Sequence, residues 1–213
     1  MRKLRAGENV VLSNEDRSEM LIKATEAYGK FLKALGYDWE NDPNMMKTPY
    51  RVAKMFVNEI TSGAYSAPPK LAVFPSAGYS GMVIEHGIEV NSLCSHHLLP
   101  FTGFCSLAYI SKESGQVIGL SKLNRIVHWF AKRPQLQEQL TRQIHDYLVN
   151  VFGDTVLGIA VYIEAEHMCV SMRGAEDNST MTTHYCSGAF LTNEMNSRDE
   201  FLRAIQIYKL GRK

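Results

Sequence analysis

The sequence lacks an excess of charge of either sign. Its 23 lysines and arginines nearly balance 22 aspartates and glutamates, which leaves a formal net charge of +1 over 213 residues. Proteins that bind duplex nucleic acid or anionic membranes usually carry a clear basic excess, so neither partner is expected. An anionic ligand would have to be bound by a local group of basic side chains.

Long apolar runs are also missing. No stretch approaches the roughly 20 consecutive apolar residues that a membrane-spanning helix needs. Residues 1–8 are basic, but they lack the apolar core of a signal peptide. These features predict a cytoplasmic protein without a membrane partner.

Cysteine is scarce, and the four that occur are Cys94, Cys105, Cys169 and Cys186. In a reducing compartment their side chains are expected to be thiols or metal ligands rather than disulfides. Cys105 and Cys186 have no metal-like spacing, so we interpret both as core or strand residues.

The N-terminal third has the pattern of helices. Ser13 and Asp16 form a predicted capping box before an apolar stripe at helical spacing, and Gly36 suits the end of that helix. A second helix is predicted to open at Thr48-Pro49, with Thr48 as its N-cap. We therefore expect this part of the chain to be helical.

Beyond a connector at residues 67–69, the apolar periodicity shifts toward two, which is typical of strands. The predicted strands cover residues 82–85, 88–90, 103–110, 116–119, 156–165, 169–172 and 180–186, with a turn at 86–87. Helices are predicted over 121–132 and 134–152, and from Ser197, where Glu200 completes a capping box. Because strands and helices do not alternate regularly, we expect an α+β fold with antiparallel pairing.

Two short motifs carry most of the ligand-type side chains. The first is Cys94-Ser95-His96-His97, and the second is His167-Met168-Cys169. Cys94, His97 and Cys169 make a set of three ligands, the number that a catalytic zinc site uses while one position stays open for water. His96 and His167 would then be free to move protons.

Spacing alone leaves two other interpretations of these motifs open. Cysteine is often buried without any function beyond packing. Alternatively, His96 or His167 could complete a structural zinc site with four protein ligands. The presence of two motifs favours a metal, because ligand-type residues rarely cluster twice by chance.

A candidate phosphate site lies at residues 119–125, where a predicted strand passes into a helix. A helix N-terminus offers free N–H groups and a positive dipole end, and Ser121, Lys122 and Arg125 add polar and basic side chains. The pattern is not that of a P-loop, and a solvated helix start is the alternative. Further basic residues that could join the site are Arg51, Lys54 and Arg173.

Gln137 and Glu138 stand at the start of the next predicted helix. A carboxylate at Glu138 suits the edge of a guanine base, which offers an N1–H and an exocyclic amine side by side. The alternative is an acidic side chain that favours the helix N-terminus.

These segments together resemble the type I GTP cyclohydrolase family. The matching segments, in order along the chain, are residues 48–55, 94–101, 119–125, 133–141, 164–169, 173–174 and 196–202. The resemblance runs from about residue 14 to 206, which is nearly the whole chain. Several independent motifs in the same order are highly specific.

The resemblance implies a fold and a reaction. The family has the tunnelling fold, an antiparallel sheet with helices on one face, expected here at residues 67–213 after an N-terminal helical region at 1–66. Its subunits form pentameric rings that pair into a homodecamer, with sites at subunit boundaries. The family's reaction opens the imidazole ring of GTP, releases C8 as formate and yields 7,8-dihydroneopterin triphosphate.

The resemblance also implies a role for each matching residue. Cys94, His97 and Cys169 would bind Zn²⁺. His96 and His167 would transfer protons, with the early proton on N7 of guanine assigned to His96 and the later steps to His167. The implied substrate contacts are Gln137 and Glu138 at guanine, Ser121, Lys122, Arg125 and Arg173 largely at the triphosphate, and Arg51 and Lys54 at further phosphate positions.

Ser95 departs from the family pattern, which usually has glutamate between the first zinc cysteine and the catalytic histidine. A missing carboxylate beside the metal could alter the position of water or the path of protons. We expect activity to be retained, because every implied ligand and proton carrier is present.

Two other functions are alternatives, and the sequence argues against both. A tunnelling-fold nitrile reductase that makes a queuosine precursor would use a cysteine nucleophile and NADPH without a zinc set, so the presence of Cys94, His97 and Cys169 argues against it. A non-catalytic zinc-binding or nucleotide-binding regulator would be expected to have lost His96 or His167, and the sequence keeps both. Folate, other pterin and deazapurine synthesis are the pathways that could use the product.

Overall fold

The computed structural model describes residues 3–211. Residues 1–2 and 212–213, which belong to the two predicted regions at 1–66 and 67–213, lie outside the described residues. Helices are combined with a mainly antiparallel sheet, so the predicted α+β class with antiparallel pairing is confirmed. Within the described range, no helix is long and apolar enough to cross a membrane.

Seven strands, numbered in chain order, occur within residues 3–211. They are β1 (Val73–Pro75), β2 (Met82–Cys94), β3 (Pro100–Ser111), β4 (Gln116–Ile118), β5 (Pro134–Gln135), β6 (Val156–His167) and β7 (Thr180–Gly188). Five of them form the main sheet in the order β5-β2-β3-β6-β7, and β1 and β4 form a separate pair. The pairs of the main sheet are antiparallel except for β2 and the short β5, which are parallel.

The helices of the same range are also numbered in chain order. They are α1 (Asn14–Ala34), α2 (Thr48–Met55), α3 (Leu120–Ala131), α4 (Gln137–Phe152), α5 (Met168–Ser171), α6 (Ala189–Thr192) and α7 (Ser197–Leu210). The predicted capping box of α1 is confirmed, because Ser13 Oγ accepts a hydrogen bond from Asp16 N at 3.0 Å. Gly36 follows the end of this helix with φ +85°, as a helix stop requires.

Some local predictions are wrong. The predicted turn at 86–87 is a bulge inside β2, where the pairing with β3 shifts between Glu85 and Ile88, and Gly87 adopts φ +71°. The N-cap of α2 is Lys47 rather than Thr48. The segment predicted as a strand at 169–172 is instead mostly the one-turn helix α5.

Two further helix starts differ from their predictions. The helix predicted to open at residue 134 begins at Gln137, because Pro134 and Gln135 pair with the end of β2. At α7 the N-cap is Asn196, while the hydroxyl of Ser197 donates to the carbonyl of Ala189 at 2.8 Å. The hydroxyl of Ser197 thus satisfies a backbone carbonyl of a neighbouring segment instead of capping its own helix.

Helices pack on both faces of the main sheet. Apolar residues of α3 and α4, such as Ile126 and Ile144, pack against one face in the larger core cluster. On the opposite face, Phe201 and Ile205 of α7 pack against strand residues such as Ala108. The expectation of helices on one face therefore describes α3 and α4 but not α7.

The N-terminal segment packs against the same side as α3. The backbone carbonyl of Gly7 accepts a hydrogen bond from Arg133 Nη1 at 2.9 Å, and Trp129 Nε1 donates to Ser66 Oγ at 3.1 Å. Arg133 is 2% exposed and lies over the Trp129 ring at 3.9 Å. These contacts join the helical N-terminal part to the end of α3, next to the strand that carries Cys94.

Candidate metal centre

Three ligand-type side chains meet where two strands of the main sheet end. One ligand atom each from Cys94, His167 and Cys169 lies within 4.8 Å of the others. Cys94 is the last residue of β2, His167 is the last residue of β6, and Cys169 lies in the helix that follows. Because β2 and β6 flank β3 on its two sides, both strands end beside the first residues of β3.

A tight turn fixes Cys94 at the end of β2. The backbone N–H of Cys94 donates to the carbonyl of Leu99 at 2.9 Å, and the N–H of Leu98 donates to the carbonyl of Cys94 at 2.8 Å. Ser95 N donates to Gln135 O at 3.1 Å, which ties the turn to β5. This turn leaves Cys94 only 5% exposed, while His96 and His97 project into solvent.

The two thiols are electrostatically linked. Burial raises the pKa of Cys169, and the neighbouring Cys94 raises it further, while Arg173 acts in the opposite direction. Two thiolates at this separation would repel each other without a compensating cation. A divalent ion of thiolate-binding type would supply that compensation, so two sulfurs and an imidazole nitrogen fit the chemistry of a zinc site.

His167 is held on two sides. Its ring stacks on Phe101 at a centroid distance of 4.7 Å and an interplanar angle of 12°. Its Nε2 lies 2.8 Å from Oε1 of Gln137. Burial lowers the pKa of His167, and the carboxylate of Glu138 opposes this shift. The ring is therefore oriented, and its neutral form is favoured.

His97 lies outside the group of three ligand atoms. Its Nε2 accepts a hydrogen bond from Arg173 Nη1 at 2.9 Å, and its ring lies edge-on to His96 at 6.3 Å. The structure thus brings together Cys94 and Cys169 from the predicted ligand set, and adds His167 as the nearest imidazole. Sequence spacing treats His97 and His167 alike, so it could not show which ring approaches the thiols.

Gln137 and Glu138 begin α4 beside this centre. Gln137 is 1% exposed, and both polar atoms of its amide are engaged by neighbouring protein groups. Glu138 is exposed in the first turn of the helix and close enough to His167 to influence its pKa. Of the two residues predicted at a guanine base, Glu138 has the accessible side chain.

Three of the predicted phosphate residues, Ser121, Lys122 and Arg125, lie on α3 near the other end of β2. Asn124, one residue before Arg125, lies close enough to Glu85 to oppose the burial that raises the pKa of the Glu85 carboxyl. Glu85 precedes Cys94 by nine residues on one strand, and a strand rises about 3.3 Å per residue, which gives a separation of roughly 25–30 Å. The described chain therefore does not bring Ser121, Lys122 and Arg125 to its own thiol pair. Arg51 and Lys54 are exposed on α2.

The polar contacts between α4 and β7 were not predicted from the sequence. Thr141 Oγ1 lies 2.6 Å from Thr183 Oγ1, and His145 Nε2 lies 2.9 Å from Ser187 Oγ. With Gln137 they form a row at every fourth residue of α4, facing alternate residues of β7. Gln137, Thr141 and His145 recur every four residues on a buried face of α4, and this spacing is the sequence signal that could have indicated the contacts.

A sequence model of the family described as GTP cyclohydrolase I matches residues 24–206. The chain belongs to the GTP cyclohydrolase I family. All residues predicted at the site fall inside the matched range. The prediction of a type I GTP cyclohydrolase is therefore confirmed at the level of the family.

Curated relatives named GTP cyclohydrolase 1 agree with this membership. The protein of Klebsiella pneumoniae subsp. pneumoniae is 41% identical over 197 residues, covering 92% of this chain and 85% of the relative. That of Chlorobaculum tepidum is 43% identical over 197 residues, covering 91% and 84%. That of Flavobacterium johnsoniae is 42% identical over 200 residues, covering 92% and 85%.

Proposed function

We propose that this GTP cyclohydrolase I family member converts GTP to 7,8-dihydroneopterin 3′-triphosphate and formate in a zinc-dependent reaction. The observation that carries the proposal is the convergence of two cysteine sulfurs and an imidazole within 4.8 Å at the end of β2. A zinc ion bound there would act as a Lewis acid and activate water for attack on C8 of guanine. The released one-carbon unit would leave as formate.

The proposed zinc ligands are Cys94, His97 and Cys169. The two cysteines are supported by their mutual proximity, whereas His97 is assigned from family membership alone, because its Nε2 lone pair accepts a hydrogen bond from Arg173 and would have to be released to bind the ion. His167 is the second candidate for the third ligand, because its ring is the one that lies beside the sulfurs. The assignment of His97 leaves His167 available for proton transfer.

His96 and His167 are the proposed proton carriers. His96 is exposed next to the metal centre, where it could reach N7 of a bound guanine. His167 is partly buried, and its lowered pKa favours the neutral ring, which can accept a proton near neutral pH. The reaction needs several transfers, at the base and at the ribose ring oxygen, so two carriers are appropriate.

Glu138 is the proposed guanine ligand. Its exposed carboxylate stands in the first turn of α4, one residue after the amide that contacts His167. A carboxylate can accept two parallel hydrogen bonds from the N1–H and the exocyclic amine of guanine. Adenine offers no such pair at the corresponding edge, so this contact would select GTP over ATP.

The triphosphate is proposed to bind Ser121, Lys122 and Arg125 of a second subunit. GTP is too short to bridge the roughly 25–30 Å between these residues and the thiols of the same chain, estimated from the rise of β2. The family's arrangement of sites at subunit boundaries removes this difficulty. Further proposed phosphate contacts are Arg51, Lys54 and Arg173.

The remaining parts of the proposal follow from family membership. They are a tunnelling fold at 67–213 after the helical region at 1–66, a homodecamer of two pentamers, and a cytoplasmic location. The product would enter tetrahydrofolate, other pterin or deazapurine synthesis. We expect no nucleic-acid or membrane partner, in keeping with the net charge of +1.

The decisive experiment incubates the purified, zinc-loaded full chain with GTP. Formate and, after oxidation, a fluorescent neopterin are the expected products. ATP serves as the matched control substrate and should be left intact. Intact GTP and no formate, with zinc measured in the protein, would refute the proposed reaction.

A further inference from the structure

The amide of Gln137 is enclosed by protein groups rather than open to a ligand. Gln137 is 1% exposed. Its Nε2 lies 3.2 Å from the carbonyl oxygen of Ile163, 3.0 Å from that of Met181 and 3.1 Å from Thr183 Oγ1. Its Oε1 lies 2.8 Å from Nε2 of His167.

These neighbours determine the orientation of the amide. Carbonyl oxygens can only accept hydrogen bonds, so the two carbonyls of Ile163 and Met181 require the NH₂ group of Gln137 on their side. A flipped amide would direct its oxygen at both carbonyls and leave two buried acceptors facing each other, which is costly. The oxygen of Gln137 therefore faces His167.

The orientation of the amide in turn determines the tautomer of His167. An amide oxygen accepts but cannot donate, so Nε2 of His167 must carry the hydrogen. The only lone pair of the neutral ring is then on Nδ1. The stack on Phe101 at 4.7 Å fixes the plane of the ring, so both the plane and the tautomer are defined by buried neighbours.

We propose that Gln137 is a positioning residue that holds His167 with Nε2 protonated and Nδ1 as the working nitrogen. The inference rests on the proposed function for the identity of the reaction, and it replaces the direct substrate contact expected for Gln137. Proton transfer by His167 then runs through Nδ1. Should His167 be the third metal ligand, Nδ1 is likewise its binding atom.

The row of polar contacts between α4 and β7 supports this role. Thr183 Oγ1 accepts from Gln137 Nε2 and also contacts Thr141 Oγ1, which donates to the carbonyl of Gln137 at 2.8 Å. Gln137 is thus fixed through its side chain and its backbone. A buried, fully bonded group of this kind can transmit its orientation to His167 with little freedom of movement.

The test combines a spectroscopic and a kinetic measurement on the full chain. Gln137→Met removes the amide at similar volume, and Gln139→Met on the same helix is the matched control, since the Gln139 amide binds the carbonyl of Ala6. Solid-state ¹⁵N NMR of histidine-labelled protein distinguishes protonated from unprotonated ring nitrogens. The His167 signals are assigned by their loss in His167→Ala.

We expect wild type and Gln139→Met to show protonated Nε2 and unprotonated Nδ1 at His167. Gln137→Met should show a mixture of both tautomers. Its kcat should fall about 10–100-fold, which is the usual effect of losing a group that orients a functional histidine. KM for GTP should stay unchanged, because no substrate contact has been removed.

Should Gln137→Met fail to fold, the wild-type spectrum still tests the proposal, because it must show the hydrogen on Nε2 of His167. A wild-type His167 protonated on Nδ1, or a Gln137 variant that raises KM at unchanged kcat, would overturn the proposal. The NMR measurement needs no substrate, so a protein without GTP turnover would refute the reaction separately from the tautomer.

Discussion

Arg173 donates a hydrogen bond from Nη1 to Nε2 of His97 over 2.9 Å. Arg173 follows Cys169 by four residues, and its charge acts to lower the pKa of that cysteine. The turn after Cys94 is therefore in contact with the segment that carries the second thiol. His97 and Arg173 occupy the exposed side of the candidate metal centre, and His167 occupies the buried side.

Metal content should separate the roles of the two histidines. His97→Ala is expected to lose most of the bound zinc, because two sulfurs alone hold the ion weakly. His167→Ala should keep about one zinc per chain and lose about 10²–10⁴-fold in the rate of neopterin formation, as removal of a general acid–base does. Metal analysis by mass spectrometry and formate release measure the two effects. If His167→Ala loses the zinc and His97→Ala keeps it, His167 is the ligand.

Much of the fold could be predicted from periodicity and local signals. The capping box at Ser13, the helix stop at Gly36 and most strand positions were correct, because each depends on neighbours in sequence. The bulge at Gly87 was read as a turn, since a glycine with positive φ serves either purpose. Only the pairing of both halves of β2 with β3 distinguishes the two.

The candidate site was predictable as a list of residue types but not as an arrangement. The structure brings Cys94 and Cys169 together, while their role as metal ligands stays a prediction. The position of Gln137 against His167 depends on where α4 crosses the ends of β6 and β7, which no local pattern encodes. The distance between Arg125 and Cys94 likewise follows from the direction of β2 and not from spacing.

The ion pair of Lys209 with Glu164 should give a stability contribution that is lost in acid. Lys209 Nζ lies 2.7 Å from both carboxylate oxygens, and this contact lowers the pKa of Glu164. A carboxyl with a lowered pKa stabilises the fold above its unfolded value of about 4.3, and the contribution disappears as pH falls through the folded value. Because both side chains are partly exposed, it should be only about 0.2–1 kcal/mol.

Lys209→Gln tests this contribution. Its free energy of unfolding should fall by that amount at neutral pH and match wild type in acid, measured by urea titration at one protein concentration. Lys33→Gln is the control, since Lys33 Nζ lies 3.8 Å from Glu40 and both side chains are largely exposed. An equal loss for Lys209→Gln at both pH values would mean that the lysine stabilises by packing alone.

Gly103 should be intolerant of any side chain. A Cβ at this position of β3 would lie 1.9 Å from the carbonyl oxygen of Glu164 on the neighbouring strand β6. Gly103→Ala must therefore shift the pairing of two central strands, at a cost of about 1–3 kcal/mol or more. Gly119→Ala is the matched substitution, because its Cβ would meet nothing nearer than Lys122 Cγ at 3.5 Å. Thermal unfolding of the two variants should differ accordingly, and equal melting temperatures would contradict the close approach.

Sites shared between subunits should be recoverable by mixing two inactive variants. Cys94→Ser removes a thiol and Arg125→Ala removes a phosphate contact, and on one chain these residues lie roughly 25–30 Å apart by the rise of β2. If each site takes its thiols from one subunit and Arg125 from another, random co-assembly leaves about a quarter of the sites intact. Co-expressed chains that carry different affinity tags, purified through both tags in turn, should then regain activity.

Cys94→Ser mixed with His167→Ala is the control and should stay inactive, because both residues belong to the same half-site. Failure of the first mixture in confirmed mixed oligomers would place the phosphate contacts elsewhere.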